Sequence, residues 1–190
     1  MTPRLPVGVI GVGALGRHHA RHLAASAEAQ LVGVHDIDHA RGTLVANEVG
    51  TRFFSELDGL LAAVEAVTIA VPTPVHAVVG LEALQRGRAV LMEKPLASSL
   101  AEADALLAAA AAAGVPLQVG HVERFNRALR AARPYLDDIR YFESTRLAPF
   151  QPRGTEVAVI LDLMIHDLDL VLHLSRGALP IDVRASGVAV

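Results

Sequence analysis

The chain has 190 residues, 52% of them hydrophobic and 19% charged, with a net charge of −3 and no cysteine. This composition excludes a disordered chain, and the charge offers no field of the kind that marks nucleic-acid or membrane-surface binders. Without cysteine there are no disulfides and no thiolate metal sites. The longest apolar stretch, Ala105 to Val115, is too short to span a bilayer. The start, Met1 to Pro6, lacks the apolar core of a secretory leader, so a cytoplasmic protein without membrane partners is expected.

The first element is an apolar run, Val7 to Ile10, feeding into Gly11-Val12-Gly13-Ala14-Leu15-Gly16, with a helical stretch from Arg17 to Ala25 behind it. In a dinucleotide site the first glycine permits a tight turn and the second lets the backbone approach a pyrophosphate. The third lets the helix sit close to the strand. Backbone N–H groups at the helix start, aided by the helix dipole, then face the phosphates. A glycine turn alone also fits a purely structural link. The second strand, Ala29 to Asp36, adds an acid about 20 residues beyond Gly16, where an adenosine ribose is read. Asp36 would repel a ribose 2′-phosphate, so the expected cofactor is NAD rather than NADP. Asp38 is either a second ribose contact or the N-cap of the next helix.

Residues 38–49 then read as a helix, 51–54 as a strand and 56–63 as a helix. The strand 66–71 is almost wholly apolar, as expected where both faces of a parallel sheet are covered. It ends at Pro72-Thr73-Pro74, before a helix over 75–86. The strand 88–92 closes at Glu93-Lys94-Pro95, and Pro95 can carry a cis peptide. Ser99 and Glu102 form a capping box for an alanine-rich helix that stops at Gly114. Residues 117–119 are the last strand of the series. Strands alternating with helices specify an α/β, doubly wound parallel sheet of Rossmann type over residues 1–120. Such sheets bind ligands beyond the carboxyl ends of their strands, where the polar residues of this sequence gather.

Beyond Gly120 the pattern changes. A helix is expected over 123–133, a strand over 139–147, a helix over 161–174 and a second strand over 181–190. This is an α+β set too small to stand alone, so residues 121–190 read as an incomplete substrate and oligomerisation domain.

Three features can carry chemistry. Lys94 at a strand end either stabilises developing alkoxide charge or pairs with Glu93 on the surface. Asp162 and His166, four apart, share one face of a largely apolar helix, which Asp169 and His173 continue; the helix is expected to be buried. His166 can accept an alcohol proton with Asp162 orienting the ring. The same pair also fits a capping Asp with a satisfied core His. No third ligand accompanies them, so no metal is expected. The stretch from Gly120 and His121 to Asn126 either closes over the cofactor or serves as a capped linker.

With these residues placed, the sequence resembles the Gfo/Idh/MocA family of NAD(P)-dependent oxidoreductases, which act mainly on sugars, cyclitols and sugar nucleotides. The resemblance rests on Gly11 to Gly16, Pro72-Thr73-Pro74-Val75-His76, Glu93-Lys94-Pro95 and Asp162-Leu163-Met164-Ile165-His166-Asp167. It implies a catalytic group of Lys94, Asp162 and His166. The cofactor residues it implies are Gly11, Gly13, Ala14, Leu15, Gly16, Asp36, Pro72, Thr73, His76, Glu93, Lys94 and His121. Residues 120–126 and 149–155 are similar to a bacterial branch that oxidises UDP-N-acetylglucosamine at the 3-hydroxyl for lipid A or surface-polysaccharide assembly. Family members are longer, which implies a truncated C-terminal sheet here and, where that sheet is whole, a homo-oligomer. A catalytically silent NAD-binding regulator is the competing expectation.

Overall fold

The computed structural model describes residues 3–147 and 158–188. The chain divides into two compact units, 1–120 and 121–190.

In the first unit, the strands are β1 (Leu5–Ile10), β2 (Ala29–His35), β3 (Arg52–Phe54), β4 (Ala66–Ile69), β5 (Ala89–Met92) and β6 (Leu117–Val119). Between them run helices α1 (Ala14–Ala24), α2 (His39–Val49), α3 (Leu57–Ala63), α4 (His76–Gln85) and α5 (Leu100–Ala113). All pairings are parallel, in the order β3-β2-β1-β4-β5-β6. The strand order reverses between β1 and β4, the switch point at which a doubly wound sheet opens a crevice.

Alternation along β1 sends Val9 and Ile10 to opposite faces, each into its own apolar cluster. Val9 joins Val12, Ala20, Val34 and Val45, under α1 and α2. Ile10 joins Leu60, Ile69, Leu84, Met92 and Leu106, under α3, α4 and α5. Each such side chain removed from water contributes about 1.5–3 kcal/mol. The expected capping box forms, with Ser99 Oγ accepting from the Glu102 N–H at 3.3 Å. The Glu102 carboxylate reaches back to the Ser98 N–H at 2.9 Å, and α5 ends at Gly114 with φ +65°.

The second unit departs from expectation in four places. The helix expected over 123–133 is broken: a 3-10 turn (Val122–Phe125) is followed by α6 (Arg127–Ala132) and a further 3-10 turn (Arg133–Tyr135). Asn126 causes the break, because its extended backbone and its Oδ1, accepting from the Ala128 N–H at 2.9 Å, start a new helix. The strand expected over 139–147 does not form, and neither does that over 181–188; residues 189–190 lie outside the described region. Alternation shows only that a segment can pair, and no strand among the described residues pairs with either. The helix expected over 161–174 opens as one π-turn (Ile160–Met164) before α7 (Ile165–Leu174). It is also not buried: Met164, Leu168 and Leu172 are exposed, and only Asp169 on α7 is buried. Nothing among the described residues of this unit covers that apolar face. The segment 149–155, singled out in the sequence, lies outside the described residues.

Candidate functional site

At the carboxyl end of β1 the chain turns sharply. Gly11 has φ +79°, a conformation that a side chain would strain. A Cβ on Gly16 would stand 1.8 Å from the Gly11 carbonyl oxygen, so only glycine lets α1 begin this close to the turn. Gly13 differs, because a Cβ there would meet nothing within 4 Å. Its openness faces outward, where a phosphate could approach the backbone. Gly13 is the N-cap of α1 and no side chain caps the helix, leaving the first-turn N–H groups of Ala14, Leu15 and Gly16 for a ligand.

The acid at the end of β2 is bound into this turn. Asp36 Oδ2 accepts from the Val12 N–H at 2.8 Å and from Arg41 Nε at 3.0 Å. Its Oδ1 accepts from the Asp38 N–H at 2.8 Å and from Arg41 Nη2 at 2.7 Å. Burial works to raise the Asp36 pKa, but the Arg41 guanidinium and the two backbone donors together hold it below the ordinary carboxylate range. Asp38 is the N-cap of α2, accepting from the Arg41 N–H at 3.0 Å. Sequence reasoning missed Val12 and Arg41; an arginine five residues past the acid, in the first turn of a helix, was the available signal. Ile37, 90% exposed beside Asp36, is another residue it passed over.

The ends of β4 and β5 are tied together by His76. This ring is buried at the start of α4, and its nitrogens lie 2.8 Å from the Pro95 carbonyl oxygen and 2.9 Å from the Val71 carbonyl oxygen. His76 thereby brackets two loops, the one bearing Pro72 and Thr73 and the one bearing Lys94. Pro72 is exposed, while Thr73 and Lys94 are half-buried, and the Lys94–Pro95 peptide is cis. Glu93 points inward. Its Oε1 lies 2.8 Å from His19 Nε2, and its Oε2 accepts from the Lys94 N–H at 3.2 Å. His19 Nδ1 in turn lies 2.8 Å from Thr68 Oγ1, linking α1, β4 and β5 beneath the sheet edge. Burial opposes ionisation of Glu93, yet His19 and the Lys94 backbone and charge lower its pKa.

In the second unit, Asp162 sits within the π-turn and His166 in the first turn of α7; both are half-buried. The acid after His166, Asp167, accepts from Ser144 Oγ at 2.8 Å and from Arg146 Nε at 2.7 Å. It therefore ties Ser144 and Arg146 to α7, and its pKa is lowered chiefly by Arg146. Asp169, which is buried, accepts from Arg124 Nε at 2.8 Å and lies 3.7 Å from His121 Nε2. Its burial raises the pKa, but Arg124 and the histidine charges outweigh that and lower it. Single π-turns within helices recur at functional sites, and composition gives no sign of them. Among the described residues no group of three or more His, Asp or Glu is placed to hold a metal ion, and no helix is long and apolar enough to cross a membrane.

A doubly wound sheet with an open glycine turn and an acid at the neighbouring strand end is a dinucleotide-binding fold. The chain belongs to the Gfo/Idh/MocA oxidoreductase family, whose profile, described as an oxidoreductase family with an NAD-binding Rossmann fold, matches residues 5–121. It is 48% identical over 183 residues to a UDP-N-acetylglucosamine 3-dehydrogenase of Acidithiobacillus ferrooxidans, a match covering 96% of this chain and 58% of that protein. A solved structure of UDP-N-acetylglucosamine 3-dehydrogenase from Acidithiobacillus ferrooxidans matches with a TM-score of 0.92 at 46% identity, covering 100% of this chain and 62% of that one. GenD2 from gentamicin A biosynthesis, solved in complex with NAD, matches with a TM-score of 0.81 at 29% identity, over 93% of this chain and 55% of its own. The chain thus spans between half and about three fifths of the length of these relatives.

Proposed function

We propose that the protein is an NAD-dependent dehydrogenase of a sugar or nucleotide sugar, with the 3-hydroxyl of UDP-N-acetylglucosamine as the first candidate substrate. The observation that carries this is the glycine turn with Asp36 fixed into it, within a chain 48% identical to an enzyme so named. Gly13 and the first-turn amides of α1 would hold the pyrophosphate, and Asp36 the adenosine ribose. Pro72, Thr73 and Glu93-Lys94-Pro95 would border the nicotinamide half, with His76 fixing the two loops and His121 adding a contact. Bound NAD supplies the hydride acceptor. His166 takes the hydroxyl proton, Asp162 orients its ring, and Lys94 hydrogen-bonds the substrate oxygen as negative charge gathers there. The residues beyond 121 would serve the substrate and the association of copies.

The test is NADH formation, followed by absorbance, with UDP-N-acetylglucosamine, simple sugars and inositol. NADH from the nucleotide sugar alone is the expected result. His166→Ala should then lose turnover by about 100-fold or more while still binding NADH. Cofactor binding without NADH from any substrate would instead favour a silent NAD-binding protein.

A further inference from the structure

Asp36 carries more hydrogen bonds than a ribose-binding acid can keep. An ionised carboxylate offers about four lone-pair positions. Val12 N–H and Arg41 Nε occupy Oδ2, and Asp38 N–H and Arg41 Nη2 occupy Oδ1. The two backbone donors are fixed, one in the glycine turn and one at the start of α2. A ribose 2′,3′-diol seeking the same oxygens can displace only the guanidinium. That side chain is 44% exposed, and it already has a second carboxylate in reach: Arg41 Nη1 lies 3.3 Å from Asp38 Oδ2.

We propose that Arg41 is a displaceable latch on Asp36 that sets the affinity for the adenosine end of the dinucleotide, with Asp38, already paired with it, as the seat it falls back on. This rests on the reading of the first unit as an NAD site. With Arg41 on Asp36 the latch is closed and the carboxylate is saturated. Binding requires the latch to open, and the apparent affinity falls by the fraction of molecules in which it is closed. Asp38 moderates that loss by offering the displaced guanidinium a partner. The arginine thus tunes cofactor affinity through a contact that the ribose must break.

The experiment is NADH titration, by nucleotide fluorescence, of the unaltered chain, Arg41→Gln, Asp38→Asn and the double variant. Asparagine keeps the N-cap of α2, so Asp38→Asn removes charge without removing the cap. Arg41→Gln is expected to tighten NADH binding about fivefold, a gap that narrows in high salt as the exposed pair is screened. Asp38→Asn is expected to weaken binding about twofold when Arg41 is present and to change nothing when it is combined with Arg41→Gln. Equal or weaker binding by Arg41→Gln overturns the latch, and would mean that Arg41 instead contacts the nucleotide. An Asp38→Asn effect of equal size in both backgrounds overturns the second seat. An unaltered chain that binds no NADH overturns the dinucleotide reading itself, and the latch with it.

Discussion

In the first unit Leu60, Ile69, Leu84 and Leu106 are wholly removed from water, on one face of the sheet, and Val9 and Val34 are equally so on the other. In the second, the one buried residue among those described is a carboxylate, Asp169, and Arg124 is what satisfies it. Arg146 on Asp167 and Arg176 on Asp137 repeat the pattern at the surface. Apolar burial is indifferent to acid and little weakened by salt, whereas exposed ion pairs are weak and screened. The two units should therefore answer different perturbations, and the difference can be pressed from both sides.

The largest expected effect is on the apolar side. Leu60→Ala should destabilise the first unit by about 2–5 kcal/mol, read as a lower urea midpoint with an unchanged slope. Gly16→Ala comes next: its methyl must push the Gly11 carbonyl aside, at about 1–3 kcal/mol and with weakened NADH binding. On the polar side, Asp169→Asn should cost about 1–2 kcal/mol by loosening Arg124, seen as faster amide exchange in α7 with β1 unaffected. Leu172→Ser, on the uncovered face, should change stability by under about 0.5 kcal/mol; a Leu60-sized loss there would erase the contrast.

Acid sharpens it further. Asp36, Glu93, Asp167 and Asp169 all have pKa values lowered in the folded chain, so between folded and unfolded values the unfolded state binds more protons. Their stabilisation is present above the ordinary carboxylate pKa, near pH 4, and is lost as pH falls through the folded values. Exchange protection of α7 should fail at a higher pH than that of β1, because the second unit has little apolar burial to fall back on.

The same contrast explains what could be read from the chain. Val7–Ile10, Gly11–Gly16 and Ala29–Asp36 announce themselves because a buried strand and a glycine turn leave little freedom of composition. Ser99 and Glu102 did so through a fixed spacing. The strands expected over 139–147 and 181–188 misled because alternation is a capacity to pair, and pairing needs a neighbour. Arg41 was legible as a residue but not as a partner, since an arginine near a helix start is ordinarily solvated. For Lys94, Asp162 and His166, strand-end position and a spacing of four offered a catalytic and a structural reading side by side, and the resemblance favoured the catalytic one.

The π-turn over Ile160–Met164 has a consequence for inheritance. Such a turn is a helix that has absorbed one additional residue, and an α-helix advances about 100° per residue. Deleting a single residue within 160–164 would let the segment relax to plain α-helix, whereas the same deletion inside α7 would turn the residues on one side of it by that angle. A one-residue deletion is thus absorbed locally in the wide turn and not within α7, while the exposed leucines a turn later can drift. A one-residue gap at this point in a relative would mark the loss of the wide turn that carries Asp162.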